Sequence, residues 1–203
     1  MKKWLIPVII IAVIVIGSYS WIKGVNNTAV TLNESISEAW GNVETSYQRR
    51  NDLVGNLVKT VKGAADFEKS TLEAVISARS KATSVTIDPT NITPEQLNQF
   101  NQAQGGVSSA LSRLLVTVER YPDLKANQGF LKLQDELAST ENQILTARTR
   151  FNEAVKPYNN HIKVFPNNLL AGMFGFTEKA YFKAVEGADV APEVEFDFDN
   201  KPQ

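Results

Sequence analysis

Residues 130–165 read FLKLQDELASTENQILTARTRFNEAVKPYNNHIKVF. Large side chains recur in this stretch at every seventh residue: Phe130, Leu137, Ile144, Phe151, Tyr158 and Phe165. A second position of the same repeat carries mostly smaller side chains: Leu133, Thr140, Ala147, Ala154 and His161. Heptads sustained over this length predict one long helix, near residues 129–164, that packs closely along a neighbouring helix. Pro157 should bend its final turns, and Phe165-Pro166 should end them.

The same period extends over residues 27–62. One core position carries Asn33, Trp40, Tyr47, Val54 and Val61, and the other carries Ile36, Val43, Arg50, Leu57 and Ala64. Gly63 follows two lysines and predicts the end of this helix. A shorter helix is expected near residues 67–84, with an apolar face of Leu72, Val75, Ile76 and Ala82. Because the heptad phase is lost between the two, we place a turn near residues 63–66, with one continuous helix as the alternative.

A further helix is expected near residues 94–120. Thr93-Pro94-Glu95-Gln96 is a start signal, since Thr93 can cap the helix and Gln96 can complete a capping box. Its heptad positions carry Leu97, Gln104, Leu111 and Val118, and Phe100, Val107, Leu114 and Tyr121. Gly105-Gly106 indicates either a kink or the close approach of another backbone. Short connections favour antiparallel neighbours, so the sequence predicts an all-α fold, an elongated antiparallel four-helix bundle of long amphipathic helices within residues 24–165.

Residues 4–22, WLIPVIIIAVIVIGSYSWI, carry no charge. As a helix they extend about 28 Å, close to the thickness of a bilayer core, and aromatic residues stand near both edges. We interpret residues 1–23 as a single transmembrane anchor; a cleaved signal peptide is the alternative. Lys2 and Lys3 against a lone Lys23 place the body outside the cytoplasm by the positive-inside rule.

Composition excludes several classes of function. The formal net charge is −1, which disfavours nucleic-acid binding, and Cys is absent, which removes disulfides and thiolate chemistry. The single histidine, His161, excludes a two-His metal site within one chain and is expected to be structural. Since no catalytic frame or phosphate-binding loop is present, we expect a non-enzyme without catalytic residues, metal or cofactor.

One charge falls on a core position. Arg50 shares its position with Val43 and Leu57, where a charged group must be paired or reach solvent. Glu141 flanks the core positions of the last long helix, with Arg148 two turns further on. The sequence therefore predicts an Arg50–Glu141 salt bridge, at least partly buried, in which Arg148 competes for the acid and Asp52 or Glu44 takes part.

Residues 166–203 form a tail of different character. An apolar run, 169–176, precedes an acidic end in which charged and apolar residues alternate over 193–199. This period of two is strand-like, and a solvated, partly disordered end is the alternative.

Several short strings occur in a fixed order along the chain: YQRRNDL at 47–53, NLV at 56–58, RYPDLKAN at 120–127, TEN at 140–142, AR at 147–148, FN at 151–152, YN at 158–159, FP at 165–166 and GF at 175–176. Together with the anchor they resemble the LemA family of bacterial membrane-associated proteins. The resemblance runs to about Phe182, although Phe151 stands where Tyr is common and Gly55 where Pro is common. It implies a helical bundle behind one membrane segment and supplies no reaction; family descriptions place the short N-terminus outside, against the charge rule.

The strings and the core positions together define a candidate polar network, structural or for interaction: Tyr47, Arg49, Arg50, Asp52, Asn56, Arg120, Tyr121, Glu141, Asn142, Arg148, Asn152, Tyr158 and Asn159. We expect a non-enzymatic interaction or scaffold module at the bacterial envelope, which contacts the bilayer through residues 4–22, binds a protein partner and can form a homo-oligomer. The alternative is a ligand- or peptide-sensing module in which Arg49, Arg50, Arg120 and Arg148 receive an anion. Arginines matched by carboxylates favour the first, and arginines that line an open pocket favour the second.

Overall fold

The computed structural model describes residues 4–63 and 67–183, and this part of the chain is helical, with no strand. The predicted all-α class is confirmed. The helices are α1 (Leu5–Lys62), α2 (Lys69–Ser84), α3 (Pro94–Val118), α4 (Pro122–Lys125), α5 (Gln128–Lys163) and α6 (Asn167–Met173). The alternating acidic end at 193–199 lies outside the described residues.

Helix α1 runs without a break through both the apolar segment and the first helix of the body. Its 58 residues correspond to about 87 Å. Gly24 does not interrupt it, because an isolated glycine costs a helix only about 1 kcal/mol. The apolar side chains between Trp4 and Tyr19 are exposed, whereas burial begins at Val25. An apolar stretch near the start of α1 is long enough to cross a membrane, and none of it is covered by the rest of the chain.

Helix α1 ends at Lys62 and α2 begins at Lys69, so the prediction of two separate helices is confirmed. Residues 64–66, which hold the rest of the predicted turn and the core position given to Ala64, lie outside the described residues. The Gly63 N–H donates to the carbonyl oxygens of Lys59 and Thr60 at 3.3 and 3.2 Å, and α2 starts six residues later, at Lys69. The prediction that Ile76 lies on the apolar face of α2 is wrong, since Ile76 is 52% exposed. Ala78 packs against the core in its place, because three residues separate it from Val75 on the same side of the helix.

Helix α3 begins as predicted. The Gln96 N–H donates to Thr93 Oγ1 at 3.2 Å, and the Thr93 N–H donates to Gln96 Oε1 at 3.0 Å. Gly105 and Gly106 lie inside α3, and a Cβ built on either would meet nothing within 4 Å. No described backbone therefore makes a close approach at this pair.

Helix α5 packs chiefly on α1, and α2 packs on α3 and on α1. Contacts between α1 and α5 run in opposite order along the two helices: Val25 meets His161, Trp40 meets Phe151, and Arg50 meets Glu141. The heptad core of α5 is buried at Phe130, Leu137, Ile144, Phe151 and Tyr158. Its predicted last member is wrong: Phe165 is 80% exposed, because α5 ends at Lys163 before the repeat reaches it.

The chain after α5 completes the core. Leu170 and Ala171 of α6 are buried, and the extended residues beyond Phe176 return along α5 to bring Phe182 into the core. Residues 177–183 are called the C-terminal strap below.

Deletion of residues 1–23 should leave a soluble, folded body. Every buried side chain of α1 lies at Val25 or beyond, so the core loses no member. Circular dichroism of the truncated chain should show a mainly helical protein with a cooperative thermal transition. Aggregation or a non-cooperative transition would mean that the body needs the apolar segment to fold.

Candidate functional site

A polar layer divides the interior into two apolar cores. The first core contains Trp40, Phe100, Phe151 and Phe182, and the second contains Leu57, Val75, Leu114 and Phe130. Between them lie Arg50 of α1, Gln104 and Ser108 of α3, and Glu141 of α5, which we call the polar layer. Three helices thus contribute polar groups at one level of the interior.

Arg50 is the centre of this layer. Its side chain is only 2% exposed, and Nη1 donates to Glu141 Oε1 at 3.1 Å and to Ser108 Oγ at 3.2 Å. Nη2 donates to the Gln104 backbone oxygen at 3.2 Å and to the Gln104 side-chain oxygen. The predicted salt bridge is therefore confirmed, and it is partly buried, because the Glu141 side chain is 49% exposed.

The layer leaves some buried polar atoms without a partner. Within the described residues no hydrogen-bond acceptor reaches Arg50 Nε, and no donor reaches the side-chain oxygen of the neighbouring Asn51. The guanidinium also lies over the Tyr47 ring, 4.9 Å from its centre. Arg50 is thus held by the amide, hydroxyl and ring as well as by the carboxylate.

The other predicted members of the salt bridge lie elsewhere. Arg148 does not compete for Glu141: its Nη2 donates to the Lys183 backbone oxygen at 3.0 Å, and its guanidinium lies 4.6 Å from the Phe182 ring centre. Asp52 instead approaches Arg79, at 3.9 Å, and Glu44 is exposed. Side chains two positions apart on a helix point about 200° apart, so the Asp52 side chain points away from the polar layer that contains Arg50.

Two asparagines hold the C-terminal strap on α5. The Asn159 amide donates to the Lys179 backbone oxygen at 2.8 Å and accepts from the Lys179 N–H at 2.9 Å. Asn152 makes the same pair of bonds with Phe182, both at 2.9 Å. Their spacing of seven residues places both amides on one face of α5, so each satisfies a strap residue whose backbone has no strand partner. The sequence contained this spacing, but it did not show what the amides bind.

Lys179 is buried within the strap, at 4% exposure. Its ammonium donates to the Thr90 backbone oxygen and lies 5.8 Å from the Tyr158 ring centre. Burial lowers the pKa of Lys179, and the charge of Asp88 opposes this effect. Asp88 itself accepts hydrogen bonds from the Thr90 hydroxyl and N–H, which hold the pKa of its carboxyl below the usual value.

A cavity of about 940 Å³ opens between the polar layer and the strap. Its charged lining residues are Arg50, Arg148, Lys179, Lys183, Glu141 and Glu178. Cations outnumber acids in this lining, and three of the four cations, Arg50, Arg148 and Lys179, already donate to backbone oxygens. The cavity could accept a small anion or a carboxylate. Within the described residues no three His, Asp or Glu side chains lie close enough together to hold a metal ion.

The remaining predicted network residues are spread over the surface. Arg49, Asn56 and Asn142 are exposed, and Arg120 pairs with Glu68 at 2.9 Å in solvent. The Tyr121 ring packs on Phe67 with centres 4.9 Å apart. Asp52 and Asn56 line a smaller cavity of about 510 Å³ between α1 and α2. The structure thus gathers Tyr47, Arg50, Glu141, Arg148, Asn152, Tyr158 and Asn159 around the layer and strap, and leaves the others apart.

Comparison with known proteins assigns most of this chain to one family. The model of the LemA family matches residues 39–196, which include the polar layer and the strap. The chain belongs to the LemA family. The resemblance predicted from the sequence strings is therefore confirmed.

Relatives of this LemA-family chain carry two kinds of name. Magnetosome proteins MamQ 1 and MamQ 2 of Paramagnetospirillum magneticum are each 30% identical over 180 residues, covering 80% of this chain and 66% of their own. Protein LemA of Metamycoplasma hominis is 25% identical over 180 residues, covering 88% of this chain and 78% of its own. The chain thus spans about two thirds of the magnetosome relatives' length.

Tyr47, whose ring lies under the Arg50 guanidinium, should make the stability of this LemA-family chain fall at alkaline pH. Burial raises the pKa of Tyr47 above its ordinary value of 10.0, although Arg148 and Arg50 oppose the rise. The unfolded chain therefore loses this proton first as the pH increases, and the free energy of unfolding falls above about pH 10. Chemical unfolding from about pH 8 to about pH 11 should show a shallower fall for Tyr47→Phe. Tyr181→Phe, which changes a tyrosine that is 37% exposed, is the control; equal slopes in wild type and Tyr47→Phe would contradict the assignment.

Proposed function

We propose that this LemA-family protein is a membrane-anchored, non-enzymatic interaction module at the bacterial envelope. The observation that carries the proposal is the division of α1: the apolar residues up to Tyr19 are exposed, and the body beyond Val25 has its own core. Exposing this many apolar side chains to water is costly, whereas a bilayer would cover them. Residues 4–22 then cross the membrane once, and the body is presented on one side.

In this proposal the body is an antiparallel four-helix bundle of α1, α2, α3 and α5. The reversed order of contacts between α1 and α5 supports it, as do the short connections around α2. The polar layer fixes the register of the helices, since a slip of one turn would remove Gln104 and Glu141 from the buried Arg50. A rigid bundle with a fixed register suits a scaffold that presents constant surfaces.

The body is placed outside the cytoplasm, in accordance with the positive-inside rule. The chain has no cysteine, so a single Ser112→Cys variant reports one exposed position on α3. A membrane-impermeant maleimide should label this cysteine in intact cells stripped of any outer barrier. Labelling that occurs only after lysis of the cells would mean that the body lies in the cytoplasm and would contradict the proposed orientation.

A protein partner is expected on the exposed apolar side chains of the bundle. Val116 of α3 is 72% exposed and Leu145 of α5 is 63% exposed. A photocrosslinking residue at either position should capture one defined partner in native membranes, either another protein or a second copy of this chain. The same residue at the exposed polar Gln143 is the control, and equal, diffuse capture at all three positions would contradict a specific surface.

A second candidate function is the binding of an anion or a carboxylate-bearing peptide in the cavity. The observation that favours it is the lining, where Arg50 and Arg148 meet at the same opening. Arg49 and Arg120, predicted to receive the anion, are absent from this lining, and Glu141 already occupies one side of Arg50. Pyrophosphate should raise the melting temperature of wild type and not of Arg148→Gln; equal shifts in the two proteins would remove this candidate.

A further inference from the structure

The turn between α5 and α6, together with α6 and the residue after it, carries an exposed apolar surface on the described part of the body. Its members, which we call the apolar corner, are Val164, Phe165, Leu169, Met173 and Phe174. Phe165 and Met173 are 80% and 79% exposed, whereas the intervening Leu170 and Ala171 are buried against the body. Helix α6 is thus a two-sided helix whose outer side has no protein partner in the described chain.

We propose that the apolar corner inserts into the interfacial layer of the same bilayer that residues 4–22 cross. The inference rests on the membrane anchor of the proposed function and adds a second, separate contact with lipid. The bundle would then be held to the membrane at two points instead of hanging from a single helix.

The position of the corner carries this inference. At the end of α5 His161 Nε2 lies 2.9 Å from the Val25 backbone oxygen, and the Asn167 amide of α6 donates to the His161 backbone oxygen at 3.2 Å. Val164 and Phe165 come directly after the last residue of α5, so the corner begins at the end of α5 that lies away from the polar layer. On α1 Trp21 and Ile22, the last residues of the apolar segment, lie about one helical turn before Val25.

The exposed fractions of the α1 side chains show that the body begins where the apolar segment ends. The exposed fraction falls from 67% at Tyr19 to 38% at Trp21, and Ile22 is half-buried. Helix α6 also contacts α1. A bilayer that covers the segment up to its last residues would therefore meet the apolar corner at its headgroup boundary.

The chemistry of the corner fits lipid. Residues 160–176 contain no acidic side chain, and Lys23 and Lys163 stand at the same end of the bundle, where Lys163 pairs with Glu178 of the strap. Large apolar side chains flanked by lysines are typical of segments that lie in a membrane interface. Soluble proteins rarely expose a contiguous apolar patch of this kind, of which Phe165 and Met173 are the most exposed members.

Spin labels on single cysteines test the proposal in the full-length protein, because the chain has no cysteine of its own. Met173→Cys reports the corner, Val13→Cys reports the apolar segment, and Leu145→Cys is an exposed apolar control on the middle of α5. Each variant is reconstituted in vesicles of phosphatidylcholine and phosphatidylglycerol. The readout is relaxation by oxygen, which concentrates in lipid, against relaxation by a water-soluble nickel chelate.

The expected result is an oxygen-to-nickel ratio at Met173 several-fold higher than at Leu145, with the highest ratio at Val13. Equal ratios at Met173 and Leu145, with Val13 in lipid, would overturn the lipid contact and leave the anchor standing. Dipolar broadening between Met173 labels would also overturn it, because the corner would then face a second copy. A Val13 label in water would overturn the anchor and this inference with it.

Discussion

Arg50→Ala is expected to lower the free energy of unfolding by about 3–5 kcal/mol, because it removes one partner from a buried ionic group. The loss has several parts. Gln104 and Ser108 lose their donor, Glu141 loses its counter-ion, and the Tyr47 ring loses the guanidinium above it. Urea unfolding in detergent, followed by circular dichroism, measures the change.

The neighbouring residue provides a matched control. Arg49→Ala removes the same side chain from an exposed position, and its cost should stay within about 0.5 kcal/mol. Equal losses for the two variants would mean that the polar layer contributes no more than an exposed charge.

Glu141→Ala should be milder, about 1–2 kcal/mol, because Arg50 keeps Gln104 and Ser108 and the acid is half exposed. The cost of the double Arg50→Ala, Glu141→Ala variant should be smaller than the sum of the two single costs, as for any pair in direct contact. Strict additivity would show that the ion pair is not energetically coupled.

Phe182→Ala in the strap should cost about 3–5 kcal/mol, the usual range for deletion of a buried aromatic ring. Phe182 is 6% exposed, stacks on Trp40 at 6.1 Å and meets Phe151 edge-on at 5.3 Å. Its loss leaves a cavity in the first core and removes the aromatic surface under Arg148. The strap is then expected to loosen, so that amide exchange at Lys179 and Phe182 should accelerate together with the fall in stability.

The adjacent Tyr181 is the control for this prediction. It belongs to the same extended strap, and its side chain is 37% exposed. Tyr181→Ala should therefore cost well under half as much as Phe182→Ala. Similar costs would mean that the strap stabilises the bundle through its backbone bonds to Asn152 and Asn159 alone.

The LemA family match does not assign a molecular role to the chain, and the experiments above are designed to identify one. The names of its relatives, MamQ and LemA, carry no reaction that could be transferred. The geometry instead offers separable surfaces: a membrane segment, an apolar corner, a lined cavity and exposed apolar positions on the helices. A variant at one of them should leave the others intact, because the polar layer and two cores hold the bundle between them.

The sequence by itself was enough to predict where the long helices lie and which charged residue, Arg50, is in the core. Apolar heptads define α1, α3 and α5, the Thr93 capping box defines where α3 starts, and Gly63 marks the end of α1. Periodicity suffices for these features because burial of one helical face and local capping depend on residues a few positions apart. The pairing of Arg50 with Glu141 could also be predicted, because an isolated charge on a buried face needs a partner of opposite sign.

Only the tertiary structure decided how residues distant in the chain share this interior. The heptads gave no sign that α1 would continue unbroken through Gly24, or that Gln104 and Ser108 would join the polar layer. The partners of Asn152 and Asn159 lie in a strap without periodic pattern, so nothing local to that segment indicates where it docks. Phe165 follows the heptad and yet is exposed, because a repeat specifies a face only while the helix continues, and the end of α5 turns this side chain outward.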